Sequence, residues 1–234
     1  MILGLWPELM AQPLEFVIDR FTGDTTTDGF PKGWEALTFK KIPQHTTYTI
    51  QQSDGNFYLK AESRKSASGL IKRIELDPKT YPILSWRWKI ERIIQTGDER
   101  RKDRDDYAAR VYVTFKYDPQ TAGLWEKIKY GSYKTLYGEY PPKASLNYIW
   151  ANRLAKGESA VSPYTDRSRM IAVESGETGL GEWQTEERNL FLDYKALFGE
   201  APPLIQGIAI MTDSDNTGES AIAYYDDIVF KKAP

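Results

Sequence analysis

The sequence predicts an all-β protein, a jelly-roll β-sandwich of two antiparallel sheets with one or two short helices. Three observations predict it: a hydrophobic period of two that recurs along the chain, turn clusters of Gly, Pro, Asp and Ser between short apolar segments, and a scarcity of helical spacing. Leu84, Trp86, Trp88 and Ile90 alternate with Ser85, Arg87 and Lys89, and Ala109, Val111, Val113 and Phe115 alternate with Arg110, Tyr112 and Thr114. Alternation of this kind turns one face of a strand to the core and the other outward.

In chain order, further strands are expected at Thr47–Gln52, Asn56–Ser63, Ser145–Ala151, Met170–Glu174, Gln184–Phe191, Leu204–Thr212 and Ala221–Phe230. Breaks fall at Ser53-Asp54-Gly55, Asp77-Pro78, Asp118-Pro119 and Asp213 to Gly218, where turn-forming residues gather. Leu124–Tyr130 and Tyr194–Phe198 can each form one or two helical turns. No repeat, linker or shift of composition divides the chain, so residues 1–234 read as one domain, with 1–14 an N-terminal extension or the remnant of a signal peptide.

Composition removes several chemistries. The 234 residues include no Cys, which excludes disulfides, thiolate nucleophiles and iron–sulfur clusters. His45 is the single histidine, so no metal site with two imidazoles can form. A formal net charge of -2 gives no basic bias, and nucleic acid is not an expected partner. No apolar run approaches the roughly 18 to 20 residues of a transmembrane helix. Nothing in the sequence sets an oligomeric state.

If the strands around Trp86 and Val111 pair, Arg87, Lys89, Arg110 and Tyr112 share one outward sheet face, with Asn147 beside them. Guanidinium, ammonium, phenol and amide groups there can bind sugar hydroxyls or a carboxylate ligand; the same residues also read as a solvent face of cross-strand ion pairs. Aromatic residues make up 13% of the chain. Those at alternating strand positions read as core, and Trp125, Tyr130, Tyr133, Tyr137, Tyr140 and Tyr164, in loop-like surroundings, are the candidate stacking platforms. The run from Gly97 to Asp106 has alternating signs and reads as a solvated loop ending in Asp105 and Asp106.

Asp213-Ser214-Asp215-Asn216-Thr217-Gly218 has the oxygen side chains and glycine of the first half of a calcium loop. Its twelfth position is Tyr224, so an EF-hand is rejected; Asp213, Asp215 and Asn216 remain as a hairpin connection or the rim of a ligand site. For catalysis, Asp106 or Asp213 is the candidate acid or base. Adjacent residues of a strand face opposite ways, so Asp105 with Asp106 cannot flank one glycosidic bond.

Several segments together resemble the bacterial family known as domain of unknown function 3047. They are Asp19 to Trp34, Ser66-Ala67-Ser68-Gly69-Leu70, Asp105 to Val111, Ser162-Pro163-Tyr164, Arg188-Asn189 with Asp193-Tyr194 and Phe198-Gly199-Glu200, Gly207 to Gly218, and Ala223 to Phe230. The likeness implies an exported, periplasmic or secreted, protein and carries no activity. The ending Tyr224 to Phe230, with Asp19-Arg20-Phe21 and Gly33-Trp34, is similar to the last and first strands of galactose-binding-like jelly rolls. That similarity implies a structural calcium held by Asp19 and Asp226.

The expectation is therefore a non-catalytic exported binding protein that holds a carbohydrate or similar polar ligand. Arg87, Lys89, Arg110, Tyr112 and Asn147 supply its sheet face, and Asp213, Asp215 and Asn216 its rim. The alternatives are a polysaccharide hydrolase or lyase on the same scaffold, and an envelope module with no small ligand.

Overall fold

The computed structural model describes residues 13–120 and 140–233. The first six strands are β1 (Glu15–Asp19), β2 (Glu35–Leu37), β3 (Thr47–Ser53), β4 (Asn56–Arg64), β5 (Ala67–Leu76) and β6 (Ile83–Ile90). After a turn of 3-10 helix at Lys102–Arg104 come β7 (Arg110–Phe115), β8 (Ala144–Ala151), β9 (Ser159–Val161), β10 (Ser168–Ser175) and β11 (Gln184–Asn189). Helix α1 (Leu190–Phe198), β12 (Ile205–Asp213) and β13 (Ser220–Lys231) complete the chain.

The strands form a jelly-roll sandwich of two sheets. One has six strands in the order β11-β6-β13-β4-β3, with β1 also on β13; the other has seven in the order β2-β5-β12-β7-β8-β10-β9. All pairs are antiparallel except β8 with β10. The β3–β4 hairpin closes through two left-handed residues, Asp54 (φ +53) and Gly55 (φ +79), as the twist of paired strands favours. The stretch expected to be strand through Phe191 instead ends at Asn189, whose side chain accepts from the Leu192 amide and starts α1. Gly199 (φ +74) caps the other end, its N–H bonding the Lys195 carbonyl. The expected helix Leu124–Tyr130 lies outside the described residues.

Alternation in β6 and β8 builds the core. Trp86 and Trp88 point inward from the six-stranded sheet, and Tyr148 and Trp150 meet them from the seven-stranded sheet; all four are fully buried. Ring centroids lie 5.2 Å apart for Trp86 and Tyr148 and 5.9 Å apart for Trp88 and Trp150. Burying each such side chain is worth several kcal/mol, about 3–5 by the cost of truncating a large aromatic to alanine.

One expectation fails here. β6 and β7 do not pair: β6 lies between β11 and β13, and β7 between β12 and β8 in the other sheet. The outward residues Arg87 and Lys89 therefore sit on one side of the sandwich, and Arg110, Tyr112 and Asn147 on the other.

A carboxyl pair joins the two sheets at one side. Glu174 of β10 and Glu186 of β11 are both buried and close enough for the charge of Glu174 to act on Glu186. Trp88 Nε1 donates to Glu186 Oε1 (3.2 Å), and Lys156 Nζ to Glu174 Oε1 (2.5 Å). Burial, then the charge of Glu174, pushes the Glu186 carboxyl up to about 7. Its folded value lies above the unfolded one, so the native state favours the protonated form. That contribution to stability is complete below about pH 4.5 and is lost as pH rises through about 7. Gln in place of Glu186 mimics the protonated carboxyl at every pH. Thermal unfolding of the native protein and Glu186→Gln should give matching midpoints near pH 4.5 and a lower midpoint for the native protein above pH 7. A pH-independent difference would sink the assignment of a raised Glu186 carboxyl.

Candidate functional site

Six of the eight ligand-binding residues expected from sequence come together on the outer face and one end of the seven-stranded sheet. Arg110 and Tyr112 project outward from β7, with Met211 opposite Arg110 on β12 and Asn147 opposite Tyr112 on β8. Asp213 ends β12, and Asp215 and Asn216 follow in the turn to β13. Asp105 and Asp106 arrive just before β7. Tyr107 and Leu154 pack over Ile149, Ala151, Met170 and Ala172, so this outer face is covered at that end rather than solvated.

Arg110 is the hub. Its Nη2 donates to Asp213 Oδ2 at 2.6 Å, its Nη1 lies 3.8 Å from Asp105 Oδ2, and the guanidinium stacks 4.5 Å from the Tyr107 ring centre and 5.2 Å from that of Tyr112. Tyr107 Oη donates to Asp105 Oδ1 at 2.7 Å. Asp106 ties the turn to the sheet: Oδ1 accepts from the Asn216 N–H and side-chain amide, and Oδ2 from the Thr217 N–H and hydroxyl. The stretch read as a solvated loop is thus anchored. Its Asp105 and Asp106 are buried, and buried Glu99 accepts from the Asn152 and Arg153 amides.

Four carboxylates around one guanidinium give the cluster an excess of negative charge. Burial holds Asp213 well above the usual carboxylate range, with Arg110 opposing and Asp106 and Asp105 adding to it. Burial also raises Asp105 against the pull of Arg110, and raises Asp215 together with Asp106. Asp106 and Asp213, the candidate acid or base, are both inside this network, one holding four hydrogen bonds and the other paired to Arg110 at 1% exposure.

Arg87 and Lys89 stand on the outer face of the six-stranded sheet beside three aromatic residues that sequence reasoning missed. Tyr58 of β4, Tyr224 of β13 and Trp183, just before β11, are all half-buried. Their ring centres are 5.6 Å apart for Tyr58 and Trp183, 5.7 Å for Tyr58 and Tyr224, and 6.3 Å for Trp183 and Tyr224. Lys89 Nζ lies 4.4 Å from the Tyr224 ring centre and 5.4 Å from that of Trp183; the Arg87 guanidinium lies 4.9 Å from that of Trp183. Arg87 bonds Asp226 and Tyr224 bonds Glu91, whereas Lys89 meets no carboxylate among the described residues. The signal was present in the alternation: Tyr58 and Tyr224 occupy outward positions of their strands.

Of the other candidates, Trp125, Tyr130, Tyr133 and Tyr137 lie outside the described residues. Tyr140 packs on Tyr117 at 5.2 Å between ring centres. Tyr164 is 56% exposed, its hydroxyl donating to the Lys102 carbonyl at 2.7 Å and lying 3.3 Å from Asn216 Oδ1. His45 is exposed. Asp19 and Asp226, implied as calcium ligands, each meet a cationic side chain. Asp19 accepts from the Phe21 amide, Trp34 Nε1 and Lys72 Nζ, and Asp226 from the Asp227 amide, Asn56 Nδ2 and Arg87 Nη2.

A family model described as "Protein of unknown function (DUF3047)" matches residues 32–229. No curated protein matches the chain. Among solved structures, the family 11 carbohydrate-binding module of the cellulosomal cellulase Lic26A-Cel5E of Clostridium thermocellum aligns over 94% of this chain and 95% of its own, at 11% identity and a TM-score of 0.46. A CBM4 structure aligns over 92% and 99%, at 10% identity and 0.41. CBM28, a non-crystalline cellulose-specific module, aligns over 88% and 90%, at 15% identity and 0.42. These likenesses concern the fold. Among the described residues no helix is long and apolar enough to cross a membrane.

Arg110→Ala would leave Asp213 buried without its cation, and denaturant unfolding should show a loss of about 3 kcal/mol. The double variant Arg110→Met with Asp213→Leu should recover most of it, because removing both charges also removes the desolvation cost. An Arg110→Ala protein as stable as the native one would show that the pair is not the hub of this face.

Proposed function

The chain belongs to the DUF3047 family, described without an assigned function, and we propose that this member is a non-catalytic protein that binds carbohydrate polymer on the outer face of its six-stranded sheet. The observation that carries the reading is the cluster of Tyr58, Trp183 and Tyr224, three half-exposed rings in mutual contact on an open sheet. Sugar rings offer apolar C–H faces to such aromatics and hydroxyls to the polar groups around them. Here those groups are Lys89, Arg87 and Glu91, with Lys60 and Glu62 on the neighbouring strand. Mixed charge suits a polyol better than a polyphosphate, which Glu62, Glu91 and Asp226 would repel. Export to the periplasm or the medium would bring the protein to such polymers.

Titration calorimetry and affinity electrophoresis against soluble β-glucans, xyloglucan, polygalacturonate and alginate test the reading. Trp183→Ala and Tyr224→Ala should each weaken binding by about tenfold or more, equivalent to about 1.4 kcal/mol, with the thermal midpoint little changed. No binding by the native protein to any polymer, or binding that survives loss of both rings, overturns it.

A further inference from the structure

We propose that Asp106, Asp213 and Asp215 hold a divalent cation, and the ligand chemistry points to calcium. Each of the three offers a carboxylate oxygen, and these oxygens lie within 4.8 Å of one another, a spacing that one ion can bridge. An acidic cluster alone would not carry the assignment. The second observation is Asp213 itself: it is 1% exposed, Arg110 engages its Oδ2, and its Oδ1 is buried with no hydrogen-bond partner. Leaving a carboxyl oxygen buried and unpaired is costly, and a bound cation answers that need directly.

The surroundings fit the same ion. Asp105, Asp106, Asp213 and Asp215 gather about one guanidinium, so acidic groups outnumber the cation among them. The donors are all oxygens, with no imidazole or thiolate near, which selects a hard cation, and calcium accepts irregular oxygen geometry where magnesium demands a strict octahedron. Asp106 fixes the turn through Asn216 and Thr217 and so sets Asp213 and Asp215 across from it. Its contact with Asn216 Nδ2 is 3.2 Å, and turning that amide over would present the Asn216 oxygen as a further ligand. The turn thus completes on Asp106, brought from before β7, the calcium loop whose twelfth position in sequence is lost. Asp19 and Asp226 have no comparable orphaned oxygen among the buried unpartnered atoms.

The site lies on the opposite sheet from Trp183, so its test is separate from polymer binding. Chelator-treated protein should show saturable calcium binding by calorimetry, and a thermal midpoint that rises with dose up to about 5 mM, above the roughly 1 mM dissociation constants of weak extracellular calcium sites. Asp215→Asn, at a half-buried position, should weaken calcium at least tenfold. Because that variant can fail to fold, terbium luminescence on the native protein gives a second readout. Emission sensitised by nearby Tyr107 and Tyr164 should appear on terbium addition and fall as calcium displaces it. Absence of heat and of any midpoint shift with calcium, a response to magnesium alone, or an Asp215→Asn protein that binds calcium like the native one overturns the proposal.

Discussion

The contact of Trp86 and Trp88 with Tyr148 and Trp150 across the two sheets is the constraint on which the other features rest. These rings fill the sandwich only if β6 and β8 keep their faces, and a slip of one residue would put Arg87 and Lys89 into the core and the tryptophans into solvent. With the faces fixed, every outward residue is fixed too. Arg87 and Lys89 must lie on one outer surface, and Arg110, Tyr112 and Asn147 on the other. A single polar face was never available once β6 and β7 fell in different sheets.

The covered end of the seven-stranded sheet imposes a different balance. Arg110 and Asp213 are nearly excluded from solvent, where an ion pair seldom gains over a well-packed apolar alternative. What secures the pair is its neighbourhood: Tyr107 and Tyr112 stack on the guanidinium, and Asp105 stands beside it. The Glu174 and Glu186 pair follows the same logic with a proton as the counter-charge. Burial converts both clusters from surface charge into groups that need a specific partner.

Much of this was legible in sequence, within a physical limit. Period two marks which way a side chain faces, and it gave β3, β4, β6, β7, β8, β12 and β13 nearly as they stand. β5 escaped because its first four residues are all buried and show no alternation, as in a strand covered on both faces. The end of β11 was decided by the Asn189 cap, a local hydrogen bond that outweighed the apolar run beyond it. Sheet partners are long-range and leave no periodic trace, which is why Arg87 was grouped with Arg110. Trp183 lies outside any strand, so alternation could not show that it faces Tyr58 and Tyr224. The convergence of Asp106 on the turn after Asp213 is likewise long-range; the composition of that turn suggested oxygen ligands, and only the fold supplied the third carboxylate.

Residue type alone does not separate the two surfaces. Arg87 and Arg110 are built alike: each guanidinium lies over an aromatic ring, at 4.9 Å from Trp183 and 4.5 Å from Tyr107, and each donates to one aspartate, at 2.7 Å and 2.6 Å. Their side chains differ in exposure, 31% against 8%. On the open sheet that difference leaves ring area and hydrogen-bonding groups within reach of a large, hydrated polymer, and water screens the charges around them. In the cluster around Arg110 the same charges act at short range in a largely dehydrated setting, where each needs a partner held close. Solvent access, set by which outer face is covered, therefore divides one chemical vocabulary into an open aromatic surface and a closed cluster of carboxyl groups.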